Sequence, residues 1–428
     1  MITGIIGPDG SGKTTMIRRL AGLLPPSADV RRVEGRIGYL PQKFGLYEKL
    51  TVMENLELYA RLHGVDEKTM HERGDPMFKA VNMDRFVDRY FGKLSGGMKQ
   101  KAALVCALIS KPDVLLLDEP TVGVDILSRR ELWGVIKQFQ TDDPHMQVFV
   151  STTYADEEGY CDKIIRLKKE DTFADPVRKN PVKPDAPETV VAKGLVKRFG
   201  SFTAVDHISF GVRKGEIFGL LGANGAGKTT TFRMLCGLDP VTEGEVTIDG
   251  VNLRTASGEA RRRLGFVAQK FSLYQDLTVR ENLEFFGGAY GLSEEKLKER
   301  IAWANEEFRL EEYMEKKAGS IPLGIKQRLA MAAAQLHEPP IIFLDEVTSG
   351  ADAYTRHDFW VRIMEMADRG VSVVITTHYL DEAAFCDRMI IMQDGQQRAF
   401  GTVAEIKKAG HDDRLEEAFV NLIRRKQS

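Results

Sequence analysis

Cysteine, long apolar runs and an excess of either charge are all scarce in this 428-residue sequence. Its four cysteines, Cys106, Cys161, Cys236 and Cys386, form no C-x-x-C pair, so the sequence contains no zinc or iron–sulfur spacing. We therefore expect reduced thiols, with Cys106 and Cys236 buried. No apolar run approaches the roughly 18 residues that a bilayer-spanning helix needs, which argues against an integral membrane protein.

The charges nearly cancel, with 60 Lys and Arg against 62 Asp and Glu and a formal net charge of −2. This balance lacks the basic excess that binds DNA or RNA phosphates, so no nucleic-acid partner is expected. The N-terminal MITGIIGPDG has no basic residue before its apolar stretch, which is not the pattern of a secretion signal. Together these features favour a cytoplasmic protein of two or three domains, or of two repeats.

Two glycine-rich segments carry the clearest chemical signal. Residues 215–230, GEIFGLLGANGAGKTT, place a G-x-x-x-x-G-K-T loop between a predicted strand and a predicted helix, and residues 4–15, GIIGPDGSGKTT, repeat it. Glycines let backbone N–H groups surround a phosphate, and the positive end of the following helix points at the same anion. In each loop the lysine would reach the β- and γ-phosphates, and the threonine after it would hold Mg²⁺. The predicted binding residues are Gly222, Asn224, Gly225, Gly227, Lys228, Thr229 and Thr230 in the second loop and Gly7, Gly10, Gly12, Lys13, Thr14 and Thr15 in the first.

The rest of the chain is repeated as well. Residues 42–47, QKFGLY, recur as 269–274, QKFSLY, at an offset of 227 residues. The first copy has no equivalent of residues 190–215, so we expect it to be N-terminally truncated, either by a miscalled start or as a trimmed, largely structural partner. The predicted domains are 1–167 and 189–428, joined by an extended linker, 168–188, that contains four prolines.

Helical patterns occupy residues 52–90, 96–110, 279–315 and 326–337, and strand-like apolar runs occupy 114–117 and 341–344. Alternating strands and helices beside a phosphate-binding loop predict an α/β fold with a mainly parallel sheet in each half. The fold expected is therefore two tandem P-loop NTPase domains.

An acidic pair follows each apolar run: Asp118-Glu119 and Asp345-Glu346. An aspartate at the end of a buried strand can orient Mg²⁺ beside the phosphates, and the next glutamate can polarise an attacking water. A solvated acidic turn is the alternative interpretation, and two neighbouring P-loops make it the weaker one.

Residues 94–100, LSGGMKQ, complete an ordered set of motifs: P-loop, glutamine loop, LSGG, LLLDEP and an aspartate loop at 122–125 and 349–352. This set resembles the ATP-binding-cassette ATPase family over essentially the whole chain. The resemblance implies ATP and Mg²⁺ as cofactors, with Gln42 and Gln269 at the metal and Gln269 also serving catalysis. It further implies that the two domains pair head to tail, so that each ATP lies between one P-loop and the opposite signature.

The two sites of such a pair should be unequal. Pro322-Leu323-Gly324 stands where the first copy has Ser95-Gly96-Gly97, and proline offers neither a hydroxyl nor an N–H. His378 resembles the family's switch histidine, and Thr153 takes its place in the first copy. Phe199 matches the aromatic residue that stacks on adenine in this family.

We therefore expect one site that hydrolyses ATP and one site that turns ATP over slowly or not at all. The hydrolysing site combines Phe199, Lys228, Thr229, Gln269, Asp345, Glu346 and His378 with Ser95, Gly96 and Gly97; the other contains Lys13, Thr14, Gln42, Asp118 and Glu119.

By the same resemblance, the partners are integral membrane permease subunits of an ABC-2-like exporter on the cytoplasmic face of the inner membrane, with a multidrug, sodium or lipid-like cargo. The candidate docking residues are Phe44, Leu46, Tyr47, Phe271, Leu273 and Tyr274, for which core packing is the alternative interpretation. A ribosome-associated or translation-factor-type tandem ATPase is the alternative function. The short, proline-rich linker and the slightly negative charge disfavour it.

Overall fold

The computed structural model describes residues 1–8, 10–43, 45–167, 176–269, 271–348, 353–377 and 379–424. Contacts divide the chain into two compact units, Met1–Phe173 and Ala174–Ser428. None of the helices formed by the described residues has both the length and the apolar character that crossing a bilayer requires. Cys106 and Cys236 are buried, as predicted.

The first unit is built on a five-stranded sheet whose described strand pairs are all parallel, in the order β2-β3-β4-β1-β5. Every residue of β1 and β3 is buried, because helices cover both faces of a parallel sheet. The strands are β1 (Ile2–Ile6), β2 (Ile37–Leu40), β3 (Val114–Asp118), β4 (Gln147–Thr152) and β5 (Lys163–Arg166). The helices are α1 (Lys13–Leu20), α2 (Val52–Leu62), α3 (Glu67–Ala80), α4 (Gly96–Leu108) and α5 (Ile126–Asp142).

The second unit has a six-stranded sheet and a four-stranded antiparallel sheet, in the orders β11-β12-β13-β8-β14-β15 and β10-β9-β6-β7. The larger sheet is parallel except for β15. The strands are β6 (Glu188–Phe199), β7 (Phe202–Arg213), β8 (Ile217–Gly222), β9 (Glu243–Ile248), β10 (Val251–Asn252), β11 (Leu264–Val267), β12 (Ile341–Asp345), β13 (Ser372–Thr377), β14 (Arg388–Gln393) and β15 (Gln396–Gly401). The helices are α6 (Lys228–Leu235), α7 (Ser257–Arg262), α8 (Val279–Ala289), α9 (Glu294–Glu307), α10 (Leu323–Gln335), α11 (Ala353–Asp368), α12 (Leu380–Ala383), α13 (Val403–Gly410) and α14 (Leu415–Arg424). The predicted α/β class with two tandem P-loop domains is confirmed.

Each long helical pattern is two helices rather than one. Gly64 and Gly291 adopt φ values of 68° and 80°, a left-handed conformation that ends α2 and α8. Both of these helices begin with a capping box: the side chain of Thr51 or Thr278 accepts a hydrogen bond from the backbone N–H of the glutamate three residues later, and the carboxylate of that glutamate accepts one from the threonine N–H. The repeated L-T-V-x-E-N-L sequence is therefore a helix start.

The end of the proline-rich segment is bound to the second unit. The Arg178 guanidinium donates hydrogen bonds to Asp368 over 3.1 Å and to Asp387 over 2.7 Å. The backbone N–H groups of Lys179 and Asn180 also donate to Asp368. Residues 178–180 thus belong structurally to the unit that follows them.

Candidate functional site

The glycine-rich loop of the second unit connects β8 to α6. Gly225 and Gly227 have φ values of 81° and 96°, which side-chain-bearing residues rarely adopt. Gly227 caps α6, and no side chain takes up the first N–H groups of the helix. The ammonium of Lys228 donates to the carbonyl oxygens of Gly222 over 2.7 Å and Ala223 over 3.0 Å. Two left-handed glycines, a helix start without a side-chain cap and a lysine at its first residue are the features that a phosphate-binding loop needs.

The loop between β1 and α1 of the first unit repeats this geometry. Gly10 and Gly12 have φ values of 77° and 93°, and Gly12 caps α1 without a side-chain hydrogen bond. The ammonium of Lys13 donates to the carbonyl oxygens of Gly7 over 2.9 Å and Pro8 over 3.0 Å. Both units therefore share this loop geometry.

The aspartate that ends β3 lies against the P-loop threonine. Asp118 Oδ1 accepts hydrogen bonds from Thr14 Oγ1 at 3.0 Å and Ser151 Oγ at 2.8 Å. Its second oxygen, Oδ2, is buried and has no hydrogen-bond donor among the described residues. Carboxylate and hydroxyl oxygens are the ligands that Mg²⁺ prefers, so this donor set fits the ion.

In the second unit, Asp345 Oδ1 accepts a hydrogen bond from Thr376 Oγ1 at 2.6 Å. Burial raises the pKa of Asp345, the Glu346 charge raises it further, and Thr376 and Lys228 oppose the shift. A bound cation would stabilise the ionised form, and this also suits a magnesium site.

The glutamates next to these aspartates are held in an unusual conformation. Glu119 and Glu346 have φ values of 49° and 46°, a left-handed state that costs a side-chain-bearing residue about 1 kcal/mol. The N–H of Glu119 donates to Ser151 Oγ at 2.9 Å, and that of Glu346 donates to Thr376 Oγ1 at 3.0 Å. One hydroxyl in each unit therefore fixes both carboxylate residues. The serine and threonine were missed from the sequence because they lie inside strands.

The glutamine loops meet the glutamates in both units. The Nε2 of Gln42 donates to Glu119 Oε2 at 2.6 Å, and the Nε2 of Gln269 donates to Glu346 Oε2 at 2.6 Å. In the first unit, Lys13 also pairs with Glu119 over 3.0 Å, and both side chains are almost fully buried. The P-loop, the glutamine and the acidic pair thus lie together in each unit.

The two signature helices differ at their first residues. Ser95 accepts a hydrogen bond from the N–H of Met98 over 3.4 Å, which caps α4. Pro322 occupies the same place before α10, which has no side-chain cap. Leu323 is 54% exposed, at the position where the first copy has Gly96. The predicted difference between the signatures is therefore present in the structure of each helix start.

His378 and the aspartate loop at 349–352 lie outside the described residues. The residues beside His378 are described: Thr377 Oγ1 accepts from the N–H of Tyr379 at 3.0 Å, just as Thr152 Oγ1 accepts from the N–H of Tyr154 at 3.0 Å. These matching hydrogen bonds align Thr152 with Thr377 and Tyr154 with Tyr379, as in the sequence comparison of the two copies.

Phe199 ends β6 with 52% of its surface exposed, and the Lys197 ammonium lies 5.1 Å from its ring centroid. An exposed ring with an adjacent cation can stack on a flat base and attract a phosphate.

The predicted docking residues differ in exposure: Leu46 and Leu273 are buried, whereas Tyr47 and Tyr274 are 60% and 50% exposed. Phe44 lies outside the described residues.

Each unit also contains a buried asparagine that the sequence patterns did not predict. Asn282 Oδ1 accepts from the N–H of Tyr274 at 3.0 Å, while its Nδ2 donates to the carbonyls of Tyr274 and Thr278, both at 2.9 Å. Asn55 makes the same bonds to Tyr47 and Thr51. These residues close the turn that follows each glutamine. The only sequence feature that could have indicated them is that both asparagines recur in the repeated E-N-L sequence.

Comparison with known proteins agrees with this geometry. Residues 1–122 and 205–349 match the family model described as ABC transporter. The chain is 39% identical to the probable multidrug ABC transporter ATP-binding protein YbhF of Escherichia coli, covering 99% of this chain and 92% of that protein. It is 40% identical to the Nod factor export ATP-binding protein I of a Rhizobium species, covering 49% of this chain and 69% of that protein. A solved structure of the ATP binding subunit of an ABC transporter aligns with a TM-score of 0.52 and 31% identity, covering 55% of this chain and 99% of that chain.

Proposed function

The chain belongs to the ABC transporter family and is an ATPase, and we propose that it is the ATP-hydrolysing subunit of an exporter with one competent composite site. In this proposal the units pair head to tail, so that the P-loop of the second copy faces the signature of the first. The observation that carries it is the unequal signature: Ser95 caps α4, whereas α10 starts after Pro322 without a cap.

In the competent site, Glu346 accepts a proton from the attacking water, and Gln269 orients its carboxylate through their 2.6 Å hydrogen bond. Lys228 would bind the phosphates, Thr229 and Asp345 would hold Mg²⁺, and Phe199 would stack on the adenine. A Mg²⁺ ion held there would supply positive charge that neutralises the phosphates. His378 contributes a contact to the γ-phosphate, by the family resemblance.

The second site pairs the P-loop of the first copy with Pro322-Leu323-Gly324. A proline removes a backbone donor, and an exposed leucine side chain occupies the place where the first copy has Gly96. The P-loop itself is intact, so this site binds nucleotide and turns it over slowly or not at all.

The partners in this proposal are ABC-2-like permease subunits at the cytoplasmic face of the inner membrane, and the cargo class is a multidrug, sodium or lipid-like compound. YbhF is named as a probable multidrug transporter protein and the Nod factor protein is named for export, and the second name supports the direction of transport. An aromatic patch supports the docking site: the Tyr274 ring lies edge-on to Phe285 at 4.8 Å, and these rings are 50% and 48% exposed. An exposed aromatic surface suits a helix of a partner.

Transplanting the signatures tests the assignment of the competent site. Ser95→Pro with Gly96→Leu should abolish steady-state ATP hydrolysis while both P-loops still bind ATP. The matched exchange, Pro322→Ser with Leu323→Gly, should leave the rate unchanged or raise it. Full activity in the first double variant would refute the assignment.

The transport role is tested separately, by binding of the chain to detergent-solubilised permease subunits and by co-sedimentation with ribosomes. Binding to the permease that is lost in Tyr274→Ala supports the exporter. Salt-resistant sedimentation with ribosomes, without permease binding, would favour the ribosome-associated alternative.

A further inference from the structure

A buried carboxylate connects the two chain segments that follow β12 and β13. Glu382 is 1% exposed, and its Oε2 accepts hydrogen bonds from Thr348 Oγ1 at 2.9 Å and Thr377 Oγ1 at 2.8 Å. Thr348 lies two residues after Glu346. Thr377 ends β13 and immediately precedes His378 in the sequence.

The same cluster exists in the first unit. Glu157 is 1% exposed, and its Oε2 accepts from Thr121 Oγ1 at 3.1 Å and Thr152 Oγ1 at 2.6 Å. Here the residue after Thr152 is Thr153 instead of histidine. The chain therefore contains a matched pair of carboxylate clusters, one beside the histidine segment and one without it.

Such a carboxylate is expensive to bury for packing alone. Burial raises the pKa of Glu382, and the hydroxyl of Thr348 opposes the shift more strongly than that of Thr377. Its other oxygen, Oε1, is buried with no hydrogen-bond donor among the described residues. An apolar side chain of similar volume could fill the space at lower cost, so the presence of a carboxyl group here indicates a positional requirement.

The positional requirement follows from where the two threonines sit. Thr348 lies just beyond the carboxyl end of β12 and Thr377 is the last residue of β13. These neighbouring parallel strands pair through Asp345 and Thr376. Thr376 already holds the Asp345 carboxylate and the Glu346 N–H. Glu382 adds a second connection, farther along each segment, between the same two strands.

We propose that Glu382 is a positioning residue for ATP hydrolysis, which fixes the segment carrying Glu346 against the segment that leads into His378. This inference rests on the proposed function, because it assumes that the P-loop of the second copy belongs to the hydrolysing site. Glu382 itself does not touch the nucleotide. It sets the separation between the segment that carries Glu346 and the strand end at Thr377.

The test compares Glu382→Ala with Glu157→Ala in the full chain, by steady-state ATP hydrolysis, ATP binding and thermal unfolding. Each substitution removes two threonine contacts, and Glu157→Ala also removes the 4.0 Å ion pair between Glu157 and Arg129, so thermal unfolding is measured for both variants and kcat is compared per folded protein. Because a misplacement of about 1 Å can cost about a hundredfold in rate, we expect Glu382→Ala to lower kcat by at least about tenfold. We expect Glu157→Ala to leave kcat within about twofold, and both variants to keep the affinity for ATP within about twofold, since neither residue touches the nucleotide.

Conservative variants separate positioning from folding. Glu382→Gln keeps a side-chain oxygen that both threonines can bond, so it should restore most of the rate lost in Glu382→Ala. Thr377→Val removes one hydroxyl with little change of shape and should lower kcat more than Thr152→Val does. Equal kcat losses in Glu382→Ala and Glu157→Ala, or a kcat loss that only follows the loss of folded protein, would overturn the inference. Failure of the proposed function is recognised independently, because Glu346→Gln would then retain turnover.

Discussion

Replacing Arg178 by alanine should selectively destabilise the second unit. The Arg178 side chain is 12% exposed, and its partners Asp368 and Asp387 are 11% and 23% exposed, so the two ion pairs are largely shielded from water. Removing one partner of a buried pair costs about 3–5 kcal/mol when the other charge loses all its contacts. Here both carboxylates keep backbone donors: Asp387 accepts from the N–H of Ile217 at 2.8 Å, and Asp368 accepts from two N–H groups. We therefore expect a loss of about 2–3 kcal/mol.

Acid should reduce this stabilisation. Burial acts to raise the pKa of Asp368, but the N–H groups of Asn180 and Lys179 and the Arg178 charge outweigh it, so the pKa lies below its usual value. A carboxyl with a lowered folded-state pKa stabilises the protein fully above the ordinary aspartate pKa of about 4 and loses this contribution as the pH falls through the folded-state pKa. Arg178→Ala should therefore weaken the acid dependence of the transition assigned to the second unit.

Differential scanning calorimetry can resolve the two units as separate transitions. For a unit of this size, about 2–3 kcal/mol corresponds to a fall in Tm of about 4–12 °C in one transition only. The control is Arg36→Ala in the first unit, because the Arg36–Asp113 pair is 61% and 55% exposed and such pairs contribute at most about 1 kcal/mol. Equal shifts in Tm in the two variants would show that burial of the ion pair does not matter. An Arg178→Ala variant in which neither transition changes its Tm would refute the argument as well.

Other substitutions test the nucleotide site and its supports. Phe199→Leu should raise the KM for ATP by roughly 5- to 150-fold, since base stacking on an aromatic ring is worth about 1–3 kcal/mol, and Phe199→Trp should restore it; an unchanged KM in Phe199→Leu would exclude stacking. Asn282→Ala should lower the stability of the second unit by about 2–3 kcal/mol, because the backbone of Tyr274 loses its buried partners. Asn55→Ala should do the same to the first unit, and calorimetry would contradict both expectations if each variant shifted the same transition.

The sequence was sufficient for the P-loops, the strand-end carboxylates and the α/β class, because each depends on local residue order. The apolar runs before Asp118 and Asp345 are the buried strands β3 and β12. The start of α10 was placed at residue 326 by pattern and lies at Leu323, since Pro322 can precede the first turn without losing a helical hydrogen bond. The helical pattern at 52–90 did not reveal that two helices lie within it, because only the left-handed conformation of Gly64 shows where α2 ends.

The supports of the site could not be predicted, because they connect residues that are distant in sequence. Ser151 and Asp118 are 33 residues apart, and Glu382 and Thr348 are 34 apart. A serine or threonine inside a predicted strand carries no sequence motif that would mark it as part of the site. Arg178 sits in a proline-rich segment typical of a linker, and its partners lie 190 and 209 residues away. Such contacts require the tertiary fold.

The most direct test of the central claim is ATP hydrolysis by the purified chain and by Glu346→Gln and Glu119→Gln, with ATP binding measured in each. A single competent site predicts that Glu346→Gln abolishes turnover while Glu119→Gln keeps most of it, both variants still binding nucleotide. Equal losses in the two variants would contradict the account, because they would show that the site opposite Pro322 hydrolyses ATP as well.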